Sequence, residues 1–168
     1  MRDWVVGGAL IESGGPGGVG TRVLLVENQR RGGSRDWTTP GGVIDEGEEL
    51  LEGLGREVRE ETGLEVVSWS GLLYEVRVQA PGLGWRLQVE VHRAVDVEGE
   101  LCVGQDPDGI VVGADWTSRD DCPGLLRAGP SWVHEPLSAW LKDEFDSPRR
   151  FDYEVDGSSM ADLTVRRV

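Results

Sequence analysis

The stretch GGVIDEGEELLEGLGREVREETGL, residues 41–64, constrains the fold more than any other part of the chain. Its second half carries apolar residues at the spacing of one helix face: Leu50, Leu51, Leu54 and Val58. Gly63 follows where a left-handed C-terminal cap belongs. The pattern therefore predicts an amphipathic helix over residues 48–62 whose apolar side, Leu51 included, packs into the core.

Three carboxylates lie on one side of this predicted helix, at the edge of the apolar stripe: Glu57, Glu60 and Glu61. Residues three and four apart are neighbours on a helix, so these acids converge. At an effective dielectric near 20 and ~6 Å, each like-charge pair costs about 3 kcal/mol. A solvated helix face tolerates such a cluster, whereas the floor of a cleft requires a cation. The charges alone leave both alternatives open.

The spacing of the fixed residues favours a functional site. From Gly42 the sequence runs through five residues to Glu48, then through seven to Arg56-Glu57-Val58-Arg59-Glu60-Glu61-Thr62-Gly63-Leu64. This resembles, with every defined position filled, the Nudix hydrolase signature G-x5-E-x7-R-E-U-x-E-E-x-G-U, in which U is aliphatic. The resemblance covers residues 42–64 directly and extends more loosely to the preceding WTTPGG and the turn near Asp115-Trp116.

The resemblance implies a site for divalent metal. In the family the helix supplies metal-binding carboxylates, which here are Glu57, Glu60 and Glu61, and the Gly41 carbonyl is expected as a further ligand. Hard oxygen donors of this kind suit Mg²⁺ or Mn²⁺.

Four other residues of the signature are expected to support the loop–helix–loop structure. Gly42, with its neighbour Gly41, lets the backbone turn tightly and approach a ligand. The resemblance implies that Arg56 binds back to Glu48, and Gly63 ends the helix. The Arg56–Glu48 pair is expected to support the site and to take no part in the chemistry.

The implied reaction is hydrolysis of the diphosphate linkage in a nucleoside diphosphate joined to another group. Such a reaction needs a carboxylate that removes a proton from the attacking water. Glu60 or Glu61 is one candidate for this base. Family members also use an acid outside the signature, for which Asp115 is the first candidate and Asp108 and Glu90 follow.

Substrate contacts are predicted more loosely. Arg30, Arg31 and Arg35 precede the signature and are candidates to bind substrate phosphate, although a solvated turn explains them equally well. Trp37 and Trp85 are candidates to stack on a base, and partial burial in the core is the alternative.

Charge and cysteine usage limit the partners. The net charge of −14 opposes unaided binding to a nucleic-acid duplex or an anionic membrane, but it allows a small anionic substrate beside a divalent cation or a local arginine cluster. The small nucleotide expected as substrate is implied by the resemblance. The apolar runs have the length of strands, and the N-terminus lacks a secretory pattern. Cys102 and Cys122 have no metal-ligand spacing and are expected to be unpaired thiols of a cytoplasmic protein.

Residues outside the signature predict mostly strands. Alternating and β-branched segments predict strands at residues 4–11 and 21–29 and on both sides of Pro81, and a polar loop over residues 30–40. A shorter strand should end near Ser118, and a short and a longer helix should follow it. Alternation on both sides of Gly157 predicts a C-terminal hairpin, which would pair within the chain or in a homodimer.

The order of these elements predicts an α+β fold, because strands precede and follow the helix without regular alternation. The resemblance implies a Nudix-type α/β/α sandwich with a mixed sheet. We expect a single domain over residues 1–168, with a core to about residue 145 and a hairpin extension over residues 146–168.

Two other functions are compatible with such a fold. A non-catalytic module that senses a nucleotide is expected to have a broken signature, whereas this one is intact. An enzyme like isopentenyl-diphosphate isomerase needs a catalytic cysteine and a histidine-containing metal site. Cys102 and Cys122 do not match that pattern.

Overall fold

The chain forms two β-sheets and three α-helices, and the computed structural model describes all of residues 1–168. The strands are β1 (Arg2–Leu10), β2 (Arg22–Gln29), β3 (Arg35–Thr38), β4 (Gly41–Val43), β5 (Glu65–Ala80), β6 (Trp85–Glu98), β7 (Val111–Ser118), β8 (Arg149–Asp156) and β9 (Thr164–Arg167). The helices are α1 (Leu50–Thr62), α2 (Cys122–Leu126) and α3 (Ser131–Lys142). None of these helices combines the length and apolar character needed to cross a bilayer.

The larger sheet has six strands in the order β4-β1-β6-β5-β8-β9. Its β1–β6 and β5–β8 pairs are parallel and the other pairs are antiparallel, which confirms the predicted mixed sheet. The predicted pairing across the Pro81 turn is also present, since β5 and β6 run antiparallel over most of their length.

The smaller sheet has three strands in the order β3-β2-β7. The prediction of a loop over residues 30–40 was wrong in part, because Arg35–Thr38 form strand β3. Trp37 and Thr38 favour a strand, but the preceding Gly32-Gly33-Ser34, Asp36 and the following Pro40 favour a loop, and the antiparallel partner β2 fixes the segment in the sheet. The buried Asp36 carboxylate, bonded to Arg30 and Asn28, further anchors the strand.

Helices α1 and α3 lie on opposite faces of the larger sheet. A Cβ added to Gly7 would lie 3.2 Å from Leu54 of α1. A Cβ added to the next residue, Gly8, would lie 3.1 Å from Val91. Val91 belongs to the core cluster that contains Leu137 of α3. Successive strand residues point to opposite faces, so the α/β/α arrangement is confirmed, as is the α+β class.

The buried side of α1 differs from the predicted one. Leu51 is 38% exposed, so its assignment to the core was wrong. The buried residues of the helix include Gly53, Leu54, Glu57, Val58 and Glu61. The buried arc is therefore centred close to Glu61 and Leu54, with Leu51 at its margin in the first turn. Two of the three acids consequently lie inside the buried face and not at its edge.

The C-terminal hairpin is part of the main core. Strands β8 and β9 pair antiparallel, and β8 adds parallel to β5. Phe151, Tyr153 and Val155 of β8 are buried in the same cluster as Leu137. The homodimer and the domain boundary near residue 145 stay predictions.

An ion-pair cluster connects Arg93 of β6 with three residues just beyond β1, β7 and α3: Glu12, Arg119 and Glu144. The Glu12 carboxylate has no exposed side-chain surface and binds Arg93 at 2.7 and 3.1 Å. Arg119 Nη1 lies 3.5 Å from Glu12 and 3.2 Å from Glu144. Both guanidinium groups lie over the ring of the buried Trp140. Glu12 therefore carries a buried charge that depends on two arginines.

Candidate active site

A cavity of about 620 Å³ connects the acidic side of α1 with the apolar inner face of the larger sheet. Its acidic wall is formed by Asp45, Glu57, Glu60, Glu61, Asp106 and Asp108. Its apolar wall includes Tyr74, Val76, Leu87, Val89, Val91 and Trp132. The volume falls within the range of pockets that bind small molecules.

Two glycines allow β4 to approach its neighbours closely. A Cβ on Gly41 would lie 2.0 Å from the Gly7 carbonyl oxygen, and the φ of Gly41 is 155°. A Cβ on Gly42 would lie 2.6 Å from the Glu57 carboxyl carbon. Gly41 therefore excludes any side chain, whereas a side chain at Gly42 would displace the Glu57 carboxylate, which lies directly against the backbone of the strand.

Arg56 lies among four carboxylates. It donates to Glu48 at 2.9 and 3.0 Å, and its Nη1 donates to Glu57 at 2.9 Å and to Glu60 at 3.3 Å. Asp45 is 3.6 Å away. The pKa of the Glu48 carboxyl lies below its usual value, chiefly because it accepts the Arg56 hydrogen bonds. The guanidinium group therefore binds Glu48 in the loop and also partly neutralises two acids of α1.

Gly53 and Gly55 within α1 differ in their surroundings. A Cβ on Gly53 would lie 2.5 Å from a carboxylate oxygen of Glu48, so the absence of a side chain lets the loop pack against the helix. Nothing lies within 4 Å of a Cβ on Gly55, and nothing in the structure explains that glycine.

Glu61 is the most buried acid of the cavity, with 4% exposure. Its Oε1 accepts a hydrogen bond of 2.9 Å from the Gly41 N–H. Burial raises the pKa of Glu61 to about 8; the Gly41 hydrogen bond opposes the shift, and the nearby Glu57, Asp106 and Glu60 charges add to it. Burial also raises the pKa of Glu57, against the opposing effect of Arg56. The site therefore disfavours negative charge on these groups without a compensating cation.

The donor groups fit a divalent cation, although they are not arranged as a closed cage. No group of three or more His, Cys, Asp or Glu side chains is placed so that it would hold an ion unaided. Arg56, a positive group, instead contacts both Glu57 and Glu60. Three hard oxygen donors that line one cavity, two of them buried, have the chemistry that Mg²⁺ and Mn²⁺ prefer.

We expect the metal-free protein to lose stability as the pH rises from about 4.5 to about 8. The ordinary pKa of Glu61 is 4.5 and the folded value is about 8, so the folded chain binds more protons within this window. The stabilising contribution is complete below the lower value and is lost as the pH passes the upper one. Thermal unfolding in EDTA across this range measures the slope. A Glu61→Gln variant with the same slope as the wild type would contradict this assignment.

The three candidates for an acid outside the signature differ in position. Asp115 is exposed on β7 and does not line the cavity, so its place in the structure does not support its selection as the base. Glu90 points away from the cavity, since its neighbours Val89 and Val91 line it, and its carboxylate contacts His92 at 2.9 Å. Asp108 does line the cavity.

Of the three arginines, the structure places one at the cavity. Arg30 lines it and makes two hydrogen bonds, of 2.7 and 2.8 Å, with Asp36. Arg35 instead binds Glu27 on the exposed surface at 2.8 Å, and Arg31 is exposed outside the cavity. The selection of these two residues for phosphate binding is therefore not supported by their positions.

Neither predicted stacking tryptophan lines the cavity. Trp37 and Trp85 pack against the core, which is the alternative given for them. Trp132 of α3 lines the cavity instead and packs edge-on against Trp85, with ring centroids 6.4 Å apart.

Sequence reasoning missed several cavity residues. Asp106 holds the loop before β7, since its carboxylate accepts the backbone N–H groups of Asp108, Ile110 and Val111 at 3.1 Å. The Asp-Pro-Asp-Gly sequence was an available signal for such a turn. Asn28 and Trp132 had no comparable signal, because they come from distant segments that the fold brings together.

Comparisons with known proteins agree with this architecture. The NUDIX domain profile matches residues 1–141. The RNA pyrophosphohydrolase of Caulobacter vibrioides is 30% identical over 144 residues, which cover 77% of this chain and 84% of that protein. The human 8-oxo-dGDP phosphatase NUDT18 is 33% identical over 106 residues, which cover 63% of this chain and 31% of that protein. The match thus spans about a third of the human protein's length.

A solved structure shows the same fold. The MutT NUDIX hydrolase from Burkholderia pseudomallei superposes with a TM-score of 0.64 at 25% identity, covering 82% of this chain and 97% of that one. Nudix hydrolases generally use divalent metals and act on small nucleotide substrates. The profile match over most of the chain, together with the intact signature, shows that this protein belongs to the Nudix family.

Proposed function

We propose that the protein is a Mg²⁺- or Mn²⁺-dependent pyrophosphohydrolase that cleaves the diphosphate linkage of a nucleoside diphosphate joined to another group. The observation that carries the proposal is the complete signature whose Glu57, Glu60 and Glu61 line a cavity large enough for a nucleotide. The names of the similar bacterial and human proteins, which both describe cleavage at phosphate groups, support it.

The metal would be held by the carboxylates of Glu57, Glu60 and Glu61 and by the Gly41 carbonyl. When bound, such an ion neutralises the diphosphate and activates the attacking water. Gly41 and Gly42 keep the backbone close to these acids, and the Gly41 N–H fixes the Glu61 carboxylate at 2.9 Å. Arg56 and Glu48 hold the loop against the start of the helix.

We propose Asp108, in place of Asp115, as the acid outside the signature that accepts the proton of the water. Its carboxylate accepts no hydrogen bond from the protein, and it lines the cavity close enough to Glu57 to contribute to the raised pKa of that residue. Asp106 fixes the loop that carries it. Glu60 and Glu61 remain the alternatives for this role.

A matched pair of variants tests the base. We expect Asp108→Asn to lower kcat by ~10²–10⁴, the usual contribution of general base catalysis. Asp115→Asn, an exposed change of the same kind, should retain wild-type kcat. Steady-state kinetics measures both. If Asp108→Asn keeps wild-type kcat, Asp108 is not the general base, and Glu60 or Glu61 takes that role. If only Asp115→Asn loses activity, Asp115 is the base.

The reaction itself is tested by a substrate screen with Mg²⁺, with Mn²⁺ and with EDTA. The panel contains ADP-ribose, nucleotide sugars, dinucleoside polyphosphates, NADH, nucleoside di- and triphosphates including oxidised ones, and RNA with a 5′-triphosphate. We expect metal-dependent release of phosphate or a nucleoside monophosphate from small nucleotides, and weak activity on RNA because of the net charge of −14. Nucleotide binding without hydrolysis of any compound would favour the non-catalytic sensor.

We further propose a cytoplasmic location, supported by the two free cysteines, Cys102 and Cys122.

A further inference from the structure

Two buried side chains in the cavity wall each have a polar atom without a partner in the protein. The first is Asn28, which is 5% exposed. Its Nδ2 donates to Asp36 Oδ1 at 3.1 Å and to Thr38 Oγ1 at 2.9 Å. A carboxylate that binds Arg30 accepts hydrogen bonds only, so the amide nitrogen must face Asp36. The amide orientation is therefore fixed, and Oδ1 is left as an acceptor.

The second is Tyr74, which is 3% exposed and lines the same cavity. Its ring is held edge-on against Phe151, with centroids 6.0 Å apart. Its hydroxyl has no hydrogen-bond partner, unlike that of Tyr153, which donates to Glu135 at 2.8 Å. Burial raises the pKa of Tyr74 well above its usual value, so the hydroxyl stays neutral and keeps its proton.

Both unpartnered atoms reach the cavity. Two polar side-chain atoms of the protein are fully enclosed and have no hydrogen-bond partner: His92 Nδ1 and Thr117 Oγ1. Asn28 Oδ1 and Tyr74 Oη also lack a partner but are not fully enclosed. Asn28 Oδ1 and Tyr74 Oη are therefore accessible from the cavity that their side chains line. A ligand that fills the cavity displaces water from both atoms and must replace the hydrogen bonds that the water made.

We infer that Asn28 Oδ1 and Tyr74 Oη bind the polar edge of the nucleobase and thereby determine the substrate class. This inference rests on the proposed function for the position of the diphosphate at the acids of α1. The apolar walls formed by Val76, Val89, Val91 and Trp132 suit a planar ring. Asn28 offers an acceptor to an N–H group of the base, and the Tyr74 hydroxyl donates to a ring nitrogen or an oxo group.

Other occupants fit these atoms less well. A hydrocarbon chain, such as that of an isoprenyl diphosphate, would leave both polar atoms unpaired when it displaced the water. A second charged group would enter a largely apolar region, and Arg30, the cation that lines the cavity near Asn28, is already bound to Asp36. A heteroaromatic base satisfies the walls and both polar atoms together.

The experiment measures binding without turnover. Isothermal titration calorimetry with Mg²⁺ compares the α,β-methylene analogues of ADP, GDP, CDP and UDP with methylenediphosphonate, which has no base. Tyr74→Phe removes only the hydroxyl, and because that hydroxyl has no protein partner the thermal stability should not fall. Tyr153→Phe is the matched control, since it removes a hydroxyl that bonds within the protein and lies outside the cavity.

We expect Tyr74→Phe to weaken the best-bound nucleoside analogue about tenfold, the effect of one lost hydrogen bond, and to leave methylenediphosphonate unchanged. Tyr153→Phe should change neither affinity. Tyr74→Phe with unchanged nucleoside affinity would overturn the inference, as would an equal loss for both probes or a wild type that binds nucleoside analogues no better than methylenediphosphonate.

Asn28→Leu tests the second atom. Because the Asn28 amide also supports Asp36 and Thr38, its effect is scored as the ratio of nucleoside to methylenediphosphonate affinity. We expect this ratio to fall about tenfold, and an unchanged ratio would remove Asn28 from the recognition. If the wild type hydrolyses nothing but the variants show these binding losses, the proposed reaction is rejected and the inference is retained. The two failures are therefore distinguishable.

Discussion

Glu61→Gln is expected to lower turnover by ~10²–10⁴ and, at the same time, to raise the thermal stability of the metal-free protein. Glu61 is 4% exposed and its pKa is raised to about 8 by burial, so an ionised side chain is unfavourable there without a cation. Glutamine removes the charge and keeps an oxygen that accepts the Gly41 hydrogen bond. The variant should therefore fold well and lack activity.

Calorimetry in EDTA above pH 8, together with kinetics in Mg²⁺, measures both effects. For a chain of this size ~1 kcal/mol corresponds to a shift in Tm of about 2–4 °C. Glu52→Gln, an exposed acid of the same helix, is the control and should change neither quantity. Full activity in Glu61→Gln would remove this residue from the site, and a lower Tm would show that its carboxylate stabilises the metal-free fold.

Glu12→Gln is expected to destabilise the fold by ~3–5 kcal/mol, the typical effect of breaking a buried ion pair. The Glu12 carboxylate is fully buried and binds Arg93 at 2.7 Å, and Arg119 lies 3.5 Å away. Glutamine keeps the volume but leaves two arginines beside Trp140 without their buried counter-ion. Urea unfolding measures the change in the free energy of unfolding.

The control for this prediction is Glu27→Gln in the exposed pair with Arg35. The same chemical change there should alter stability by less than ~1 kcal/mol, because solvent screens exposed pairs. Equal losses in the two variants would show that burial does not determine the contribution of Glu12. An unchanged free energy of unfolding in Glu12→Gln would show that Arg93 and Arg119 find other partners.

The sequence predicted those features that depend on local spacing. The helix that carries Glu57 and Glu61 was found from its 3.6-residue period and its glycine cap, and the family from the fixed register of the signature. The strands flanking Pro81 followed from β-branched residues around a turn. In each of these cases the signal lies within a few residues of the element that it predicts.

The features that the sequence did not predict depend on contacts between distant segments. Strand β3 forms because β2 lies beside it, and the four residues Arg35–Thr38 are too short a signal to outweigh the turn residues around them. The cavity combines Asn28 of β2, Tyr74 of β5 and Trp132 of α3, whose proximity only the topology determines. Asp115 was selected for its position beside Trp116, which does not show whether an edge-strand side chain faces the cavity.

The most direct test of the central claim is calorimetric titration of Mn²⁺ into the wild type, Glu57→Gln and the exposed control Glu52→Gln. If the α1 acids hold the ion, the wild type and the control bind with the same affinity, and Glu57→Gln binds at least ~10-fold more weakly, as loss of a carboxylate ligand or its support typically causes. Equal Mn²⁺ affinity in all three proteins would contradict the account.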